Sequence, residues 1–395
     1  MEEKYIKLLL EKCINFDNSK SLLINYDIIN QNFVDKVVEY AKELGVTDIY
    51  LDKNDIKEEH NILRNISLEE IENHPYFNDY IWDEYAKKGA SFLILRAPFP
   101  GIMDDIEPSK LAKAELIRRS TKPLYKKRQL IFEVPWCIAA LPNIVWAKTL
   151  FKDKENAYEL LENTIYKICM VDNNNPIDNW NNYLDDNKER IEYLNNLKIK
   201  YLNYKNSLGT DLNIELLEDG IWCDAATKGL CNMPSYEIFT SPNYKKTNGI
   251  VYSSRPLVYN GGLIDNFWLK FENGKVIDYD AKVGKEILKG ILESDSNAPY
   301  LGEVALVENN SPISNTNLVY GLTLIDENAS CHLALGGGFL ECIKDKLTGE
   351  ELLEKGINMS KIHVDFMIGT PDLEITGETF DNKKVKIFEN GNFKK

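Results

Sequence analysis

The hydrophobic pattern of this chain changes period near its midpoint, and that change limits the folds open to it more than any other feature. In the first half, apolar residues at helical spacing (residues 5–13 and 32–44) alternate with short β-rich runs at residues 21–25, 47–51 and 90–96. A brief, continuously apolar run set between amphipathic helices is how a strand buried on both faces reads. The pattern therefore predicts an open α/β sheet. After Pro135 the chain turns helical, with a periodic stripe over residues 157–170, a break at Asp172-Asn173-Asn174-Asn175-Pro176 and a further helical stretch over 182–197.

Beyond that point the signal is of strands. Residues 211–216, 249–253, 263–271, 275–279, 302–307 and 363–368 are β-rich and are parted by turn sequences such as Asn260-Gly261-Gly262 and Glu272-Asn273-Gly274. One helix is expected over residues 283–293, and the sheet should be mixed or antiparallel. The expected class is α/β, α+β overall: an N-terminal open α/β sheet domain (1–185) followed by a mixed-sheet domain (186–395). No repeat is evident in the sequence.

Composition narrows the function. Lys+Arg 47 against Asp+Glu 62 leaves a formal charge of −15, which repels phosphate backbones and anionic membrane surfaces. Neither nucleic acid nor membrane is an expected partner. The chain opens acidic, Met1-Glu2-Glu3-Lys4, and its first apolar run, Leu8 to Leu10, is too short for a signal peptide. The most apolar later stretch (137–151) is interrupted by Pro142, Asn143 and Lys148 and falls short of the about 20 residues a span needs. A cytoplasmic location is expected. Seven cysteines without a CxxC pair suggest neither a disulfide framework nor a thiolate zinc site, and reduced thiols are the expectation. Cys331 adjoins His332, but on an extended chain the two side chains point to opposite faces.

The chemistry lies in the C-terminal third. Of four histidines, His332 and His363 sit in carboxylate-bearing segments, Asp326-Glu327-Asn328-Ala329-Ser330-Cys331-His332 and His363-Val364-Asp365. Imidazole nitrogen and carboxylate oxygen are the usual ligands of hydrolytic divalent metals. Glu303 shares a strand face with Ala305 and Val307, where a carboxylate is costly unless paired or bound to a cation. Glu237 follows a turn, Glu327 precedes His332, and His363 and Asp365 share a face if extended. Glu237, Glu303, Glu327 and Asp365 with the two imidazoles would suffice for two adjacent divalent ions with room for water. Glu308, facing away from Val307, reads as a solvated carboxylate. A nucleophile mechanism is less supported: no GxSxG is present, and His60 and His74 lie in polar segments.

Five segments carry a resemblance: Gly209-Thr210-Asp211-Leu212, Asn232-Met233-Pro234 through Pro242, Leu301-Gly302-Glu303-Val304-Ala305, Asp326 through Gly336, and His363 through Gly369. In this order they resemble the aminopeptidase T and aminopeptidase S family of two-metal aminopeptidases, of thermophilic metalloprotease type. Trp136 to Pro142 and Trp146-Ala147-Lys148 extend the likeness into the first half. The resemblance implies a cytoplasmic homodimer with a C-terminal catalytic domain, releasing N-terminal residues from peptides with a free N-terminus by a metal-activated water. It implies Glu237, Glu303, Glu327, His332, His363 and Asp365 as ligands of two divalent ions (zinc, cobalt, manganese or magnesium), with Glu303 bridging them beside the reacting water. One position departs from the family pattern: Phe339 stands where the family carries a tyrosine, so a phenolic hydroxyl is absent there. Two alternatives stay open, a non-catalytic or weakly active metal-binding homologue and a dipeptidase or amide hydrolase using the same centre.

Overall fold

The structure is a computed structural model that describes residues 1–15, 20–130, 133–172, 174–226, 229–344 and 349–394. The chain divides into two compact units. The first comprises Met1–Asn182, Ala225–Ser235 and Asn260–Gly262, and the second Tyr183–Asp224, Tyr236–Tyr259 and Leu263–Lys395. Among the described residues no helix is long and apolar enough to cross a membrane.

The first unit is built on a five-stranded sheet in the order Asp48–Asn54, Ser21–Asp27, Ser91–Arg96, Trp136–Ala140, Asn232–Met233. Every pairing in it is parallel. Leu22, Leu23, Ile24, Phe92 and Leu93 are fully buried. Consecutive buried residues mean that both faces of these strands are covered, which is why they read as apolar runs rather than alternations. The Asn-rich break behaves differently from expectation. The helix begins at Pro176 and runs to Leu197, because Asn175 Oδ1 accepts from Ile177 N at 3.2 Å and Pro176 supplies a φ already suited to a first helical turn. The end of the break, Asn175-Pro176, is a helix start.

The second unit holds two antiparallel sheets. The larger has nine strands, ordered Leu257–Tyr259, Gly262–Glu272, Pro242–Tyr252, Asp211–Leu216, Ile199–Lys205, Glu374–Thr379, Lys384–Glu389 and Asn392–Phe393, with Lys275–Val283 also paired to Gly262–Glu272. The smaller has four, ordered His363–Met367, His332–Gly336, Leu301–Leu306, Ile238–Thr240. Along the smaller sheet, Val304, Leu306, Leu333, Leu335, Val364 and Phe366 join a core with Leu202, Ile214, Leu269 and Ile375 of the larger one. Side chains alternate along a strand, so the residues between them face the other way. One face of the small sheet is committed to packing and the other is left for chemistry.

Phe366 tests that division. It is 1% exposed and its ring lies 5.8 Å from that of Phe267. Phe366→Ala is expected to destabilise the protein by about 3–5 kcal/mol, the usual cost of emptying an aromatic site in a core. The denaturant midpoint of the variant would check this.

Candidate metal centre

Register places the polar residues of the small sheet. Glu303 is opposite Ala334, and Ala334 opposite Asp365, in one row across three strands. The next row holds Phe239, Ala305, His332 and Met367. Residues directly across a ladder share a face, as do residues two apart on one strand. Glu303, His332, His363 and Asp365 therefore all stand on the face opposite the core, and Glu237, two residues before Phe239, is placed beside them.

Two local devices aim these side chains. The Leu301–Leu306 strand has a bulge between Leu301 and Glu303, and bulges commonly re-aim a side chain next to a site. Gly302 is the extra residue; a Cβ there would lie 2.3 Å from the carbonyl oxygens of both Gly336 and Gly337. Gly336 has a φ of +101°, and a Cβ on it would lie 2.2 Å from Ile362 O. This close backbone passage ends with Gly337 O 2.8 Å from His363 Nδ1.

The side chains converge into two overlapping trios, Glu237 with Glu303 and His332, and Glu303 with His363 and Asp365. In each trio the potential ligand atoms lie within 4.8 Å of one another. His332 Nε2 is 3.1 Å from Glu237 Oε2. His363 Nε2 is 3.1 Å from both Glu303 Oε2 and Asp365 Oδ1. Glu303 belongs to both trios. Glu327 belongs to neither, yet it is buried and feels the charges of Asp365, Glu237, His332 and Glu303.

The imidazoles show what such a site requires. His363 Nδ1 faces Gly337 O, and His332 Nδ1 lies 3.2 Å from Ser330 O. A carbonyl only accepts, so Nδ1 carries the proton in each ring and Nε2 is turned towards carboxylate oxygens. A lone pair facing carboxylates in a buried site is unfavourable unless a proton or a cation lies between them. Backbone-anchored Nδ1–H with Nε2 directed inward is the usual setting of a metal-bound histidine. Asp365 Oδ1 is likewise buried without a hydrogen bond. The donor set fits a divalent cation.

The titration behaviour has the same cause. Burial pushes Glu303 up to about 7, with the charge of Asp365 adding to it against the hydrogen bond from His363. Burial, together with the charges of Asp365 and Glu237, holds Glu327 well above the usual carboxylate range. Burial pulls His332 down, but the hydrogen bond and charge of Glu237 outweigh it and raise the ring to about 10. His363 is raised in the same way by Asp365 and Glu303. Burial works against the Asp365 carboxylate, yet the charge of His363 prevails and lowers it to about 2.

Several contributors were not anticipated. Asn328 is fully buried. Its Oδ1 accepts from Tyr236 N, and its Nδ2 donates to Leu324 O at 3.3 Å and lies 3.4 Å from Glu327 Oε1. It thereby ties the segment before Glu237 to Glu327. Tyr183 Oη donates to Tyr236 O at 3.0 Å. Ala334 is buried and small, and stands between Glu303 and Asp365 in their row of the chemical face. A small residue between charged ones was the available signal. Cys331 is not aimed with His332; its Sγ lies 3.3 Å from Val307 O. Glu308 is a partly exposed ion pair with Arg190 at 3.0 Å. Phe339 is beside the centre, its ring 4.9 Å from that of His363 and 5.0 Å from that of Phe239.

Comparison with known proteins is consistent with this arrangement. Residues 1–393 match the thermophilic metalloprotease (M29) family. The chain is 34% identical to aminopeptidase 2 of Geobacillus stearothermophilus, over 99% of its own length and 97% of that protein. It is also 34% identical to aminopeptidase AmpS of Bacillus subtilis, over 98% and 97% of the two chains. The solved structure of wild-type AmpT from Thermus thermophilus superposes with a TM-score of 0.89 at 27% identity, covering 99% of this chain and 98% of that one. With aminopeptidases along its whole length and a buried carboxylate–imidazole cluster suited to a cation, this chain belongs to the thermophilic metalloprotease (M29) family and is a metal-dependent aminopeptidase.

Proposed function

We propose that the second unit is the catalytic domain and that its small sheet holds two divalent ions, with Glu303 common to both. Glu237 and His332 would serve one ion and His363 and Asp365 the other, and Glu327, buried beside them, completes the set. The observation that carries this reading is the sharing of Glu303 between two trios whose imidazole Nε2 atoms both face carboxylates. When bound, such ions lower the pKa of a shared water, polarise the scissile carbonyl and stabilise the oxyanion that forms. Zinc, cobalt, manganese and magnesium all accept these nitrogen and oxygen donors.

The protein's own groups supply the proton traffic. Glu303 would accept the water's proton and return it to the leaving amine. Nδ1–H contacts to Ser330 O and Gly337 O hold both rings in one tautomer. The substrates are peptides with a free amino terminus, whose amine a metal ion or a carboxylate outside the ligand set would receive. We further propose a cytoplasmic location and a homodimer, the latter testable by sedimentation.

Ion uptake should release protons. At pH 7 the ion-free centre keeps protons on His332, raised to about 10, and partly on Glu303, raised to about 7. A cation must displace them, so affinity rises with pH through this range. Calorimetric titration of chelator-stripped protein in buffers of different ionisation enthalpy would show the release; uptake without it would count against the centre.

Phe339 sets catalytic strength. The Phe339 ring packs against His363, so Phe339→Tyr adds a hydroxyl beside the centre with little change in packing. A donor aimed at the developing oxyanion is worth about 10²- to 10³-fold in rate. The variant is expected to show higher kcat at unchanged metal content. Steady-state kinetics of both proteins on one aminoacyl substrate decide it, and an equal or lower kcat for the tyrosine variant sinks the idea. Sequential trimming of longer peptides from the amino end would separate an aminopeptidase from a dipeptidase.

A further inference from the structure

We propose that Cys223 and Cys342 form an oxidative modification site, a thiol pair that a hydroperoxide closes into a disulfide and thereby slows turnover at the neighbouring centre. None of the seven cysteines is in a disulfide. Cys223 is the only one of them that is not buried, and Cys342 is fully buried. Their Sγ atoms lie 3.6 Å apart. A disulfide needs about 2.0 Å, so closure calls for a relative movement of about 1.5 Å, within reach of side-chain rotation with a small backbone adjustment.

The backbones around the pair already run side by side. Ile221 N donates to Cys342 O at 2.8 Å, and Gly220 forms a bridge with Ile343. Cys223 exchanges hydrogen bonds with Phe239 in both directions, at 3.0 and 2.9 Å. Cys342 N donates to Phe339 O at 3.3 Å. The backbone of each cysteine is thus hydrogen-bonded to one of two aromatic residues, Phe239 and Phe339, whose rings pack on each other, with the Phe339 ring edge-on to His363. Joining the sulfurs joins the segments that position those rings. Displacements of about 1 Å at a positioned site cost up to about 10²-fold in rate.

The chemistry divides by exposure. Cys223, the partly exposed partner, whose thiol the Cys342 contact and burial hold above its ordinary range, attacks the terminal oxygen of the hydroperoxide; the O–O bond breaks, an alcohol or water leaves with the thiol proton, and Cys223 becomes a sulfenic acid. Cys342 Sγ then attacks the Cys223 sulfur, the S–O bond breaks, and water leaves with the second thiol proton. Each sulfur gives up one electron and the peroxide takes both. In a reducing compartment such bonds are transient and serve as sensors rather than staples, and a thiol reductant reverses this one.

The effect on turnover rests on the metal-centre reading above, whereas formation of the bond does not. The experiment exposes the metal-loaded enzyme to hydrogen peroxide, alkylates the remaining thiols and maps the peptides by mass. A Cys223–Cys342 cross-linked peptide, a fall in kcat of about tenfold and full recovery with dithiothreitol are expected. Cys223→Ser and Cys342→Ser should start with wild-type activity and keep it through the same exposure, and the corresponding alanine variants serve if a serine variant folds poorly. Absence of the cross-link at peroxide levels that inhibit the enzyme, equal inhibition of the variants, or a cross-link without loss of kcat would each overturn the proposal.

Discussion

Glu303→Gln is expected to lower kcat by about 10²-fold or more while leaving the fold and its stability close to wild type. The amide keeps the shape of the carboxylate in a row where Ala334 and Asp365 are its cross-strand neighbours. It cannot accept the water's proton, and it removes the negative charge common to both trios. Since burial of that carboxylate is costly, pushing it up to about 7, the neutral amide should stabilise the ion-free protein slightly. Kinetics, metal content and thermal unfolding together test the claim. A wild-type rate with glutamine here would place the proton acceptor elsewhere, whereas a lost rate with lost folding would make Glu303 a structural residue.

His332→Ala and His363→Ala carry the other large effect. Each ring contributes a neutral nitrogen that no neighbouring side chain replaces, and each is anchored by its other nitrogen to a backbone carbonyl. Metal-assisted charge stabilisation amounts to several kcal/mol in the transition state, so losing an ion should cost on the order of 10³-fold in activity. Removing His363 leaves the carboxylates of Glu303 and Asp365 facing each other without the positive charge that His363 lends them in the ion-free protein. Removing His332 isolates Glu237 in the same way. Metal analysis reads each variant directly. Retention of two ions per chain and full turnover in both would rule out the centre.

Much of the first unit was legible because its central strands, Ser21–Asp27 and Ser91–Arg96, are buried on both faces. A run such as Ser91–Arg96 admits few other readings once helices flank it. The small sheet was legible in part for the same chemical reason that makes it functional. Glu303 beside Ala305 and Val307, and His363 beside Asp365, break apolar strands at positions where a carboxylate or an imidazole is costly without a counter-charge. The strands Ile199–Lys205, Glu374–Thr379 and Lys384–Glu389 were not foreseen. Their alternation is diluted by lysine, tyrosine and asparagine on a half-exposed sheet, and such strands are defined by their neighbours more than by their own composition. Of Pro242–Tyr252 only residues 249–252 carry the β-rich pattern, because Lys245, Lys246 and Asn248 dilute it in the same way.

By itself the sequence determined the alternation of buried strands and helices in the first unit, the strand-rich character of the second, with its sheet left as mixed or antiparallel, and the residue types able to hold a cation. These follow from periodicity and from the cost of burying charge, which are local properties of the chain. Tertiary structure alone decided which residues meet. Register across strands far apart in sequence put Glu303, Ala334 and Asp365 in one row. The bulge at Gly302 and the passage at Gly336 and Gly337 set the direction of Glu303 and anchored His363. Asn328 acquired its positioning role, and Cys223 found Cys342, only through folding. Pairing between segments separated by tens of residues depends on the whole set of competing contacts, and no window of sequence contains that information.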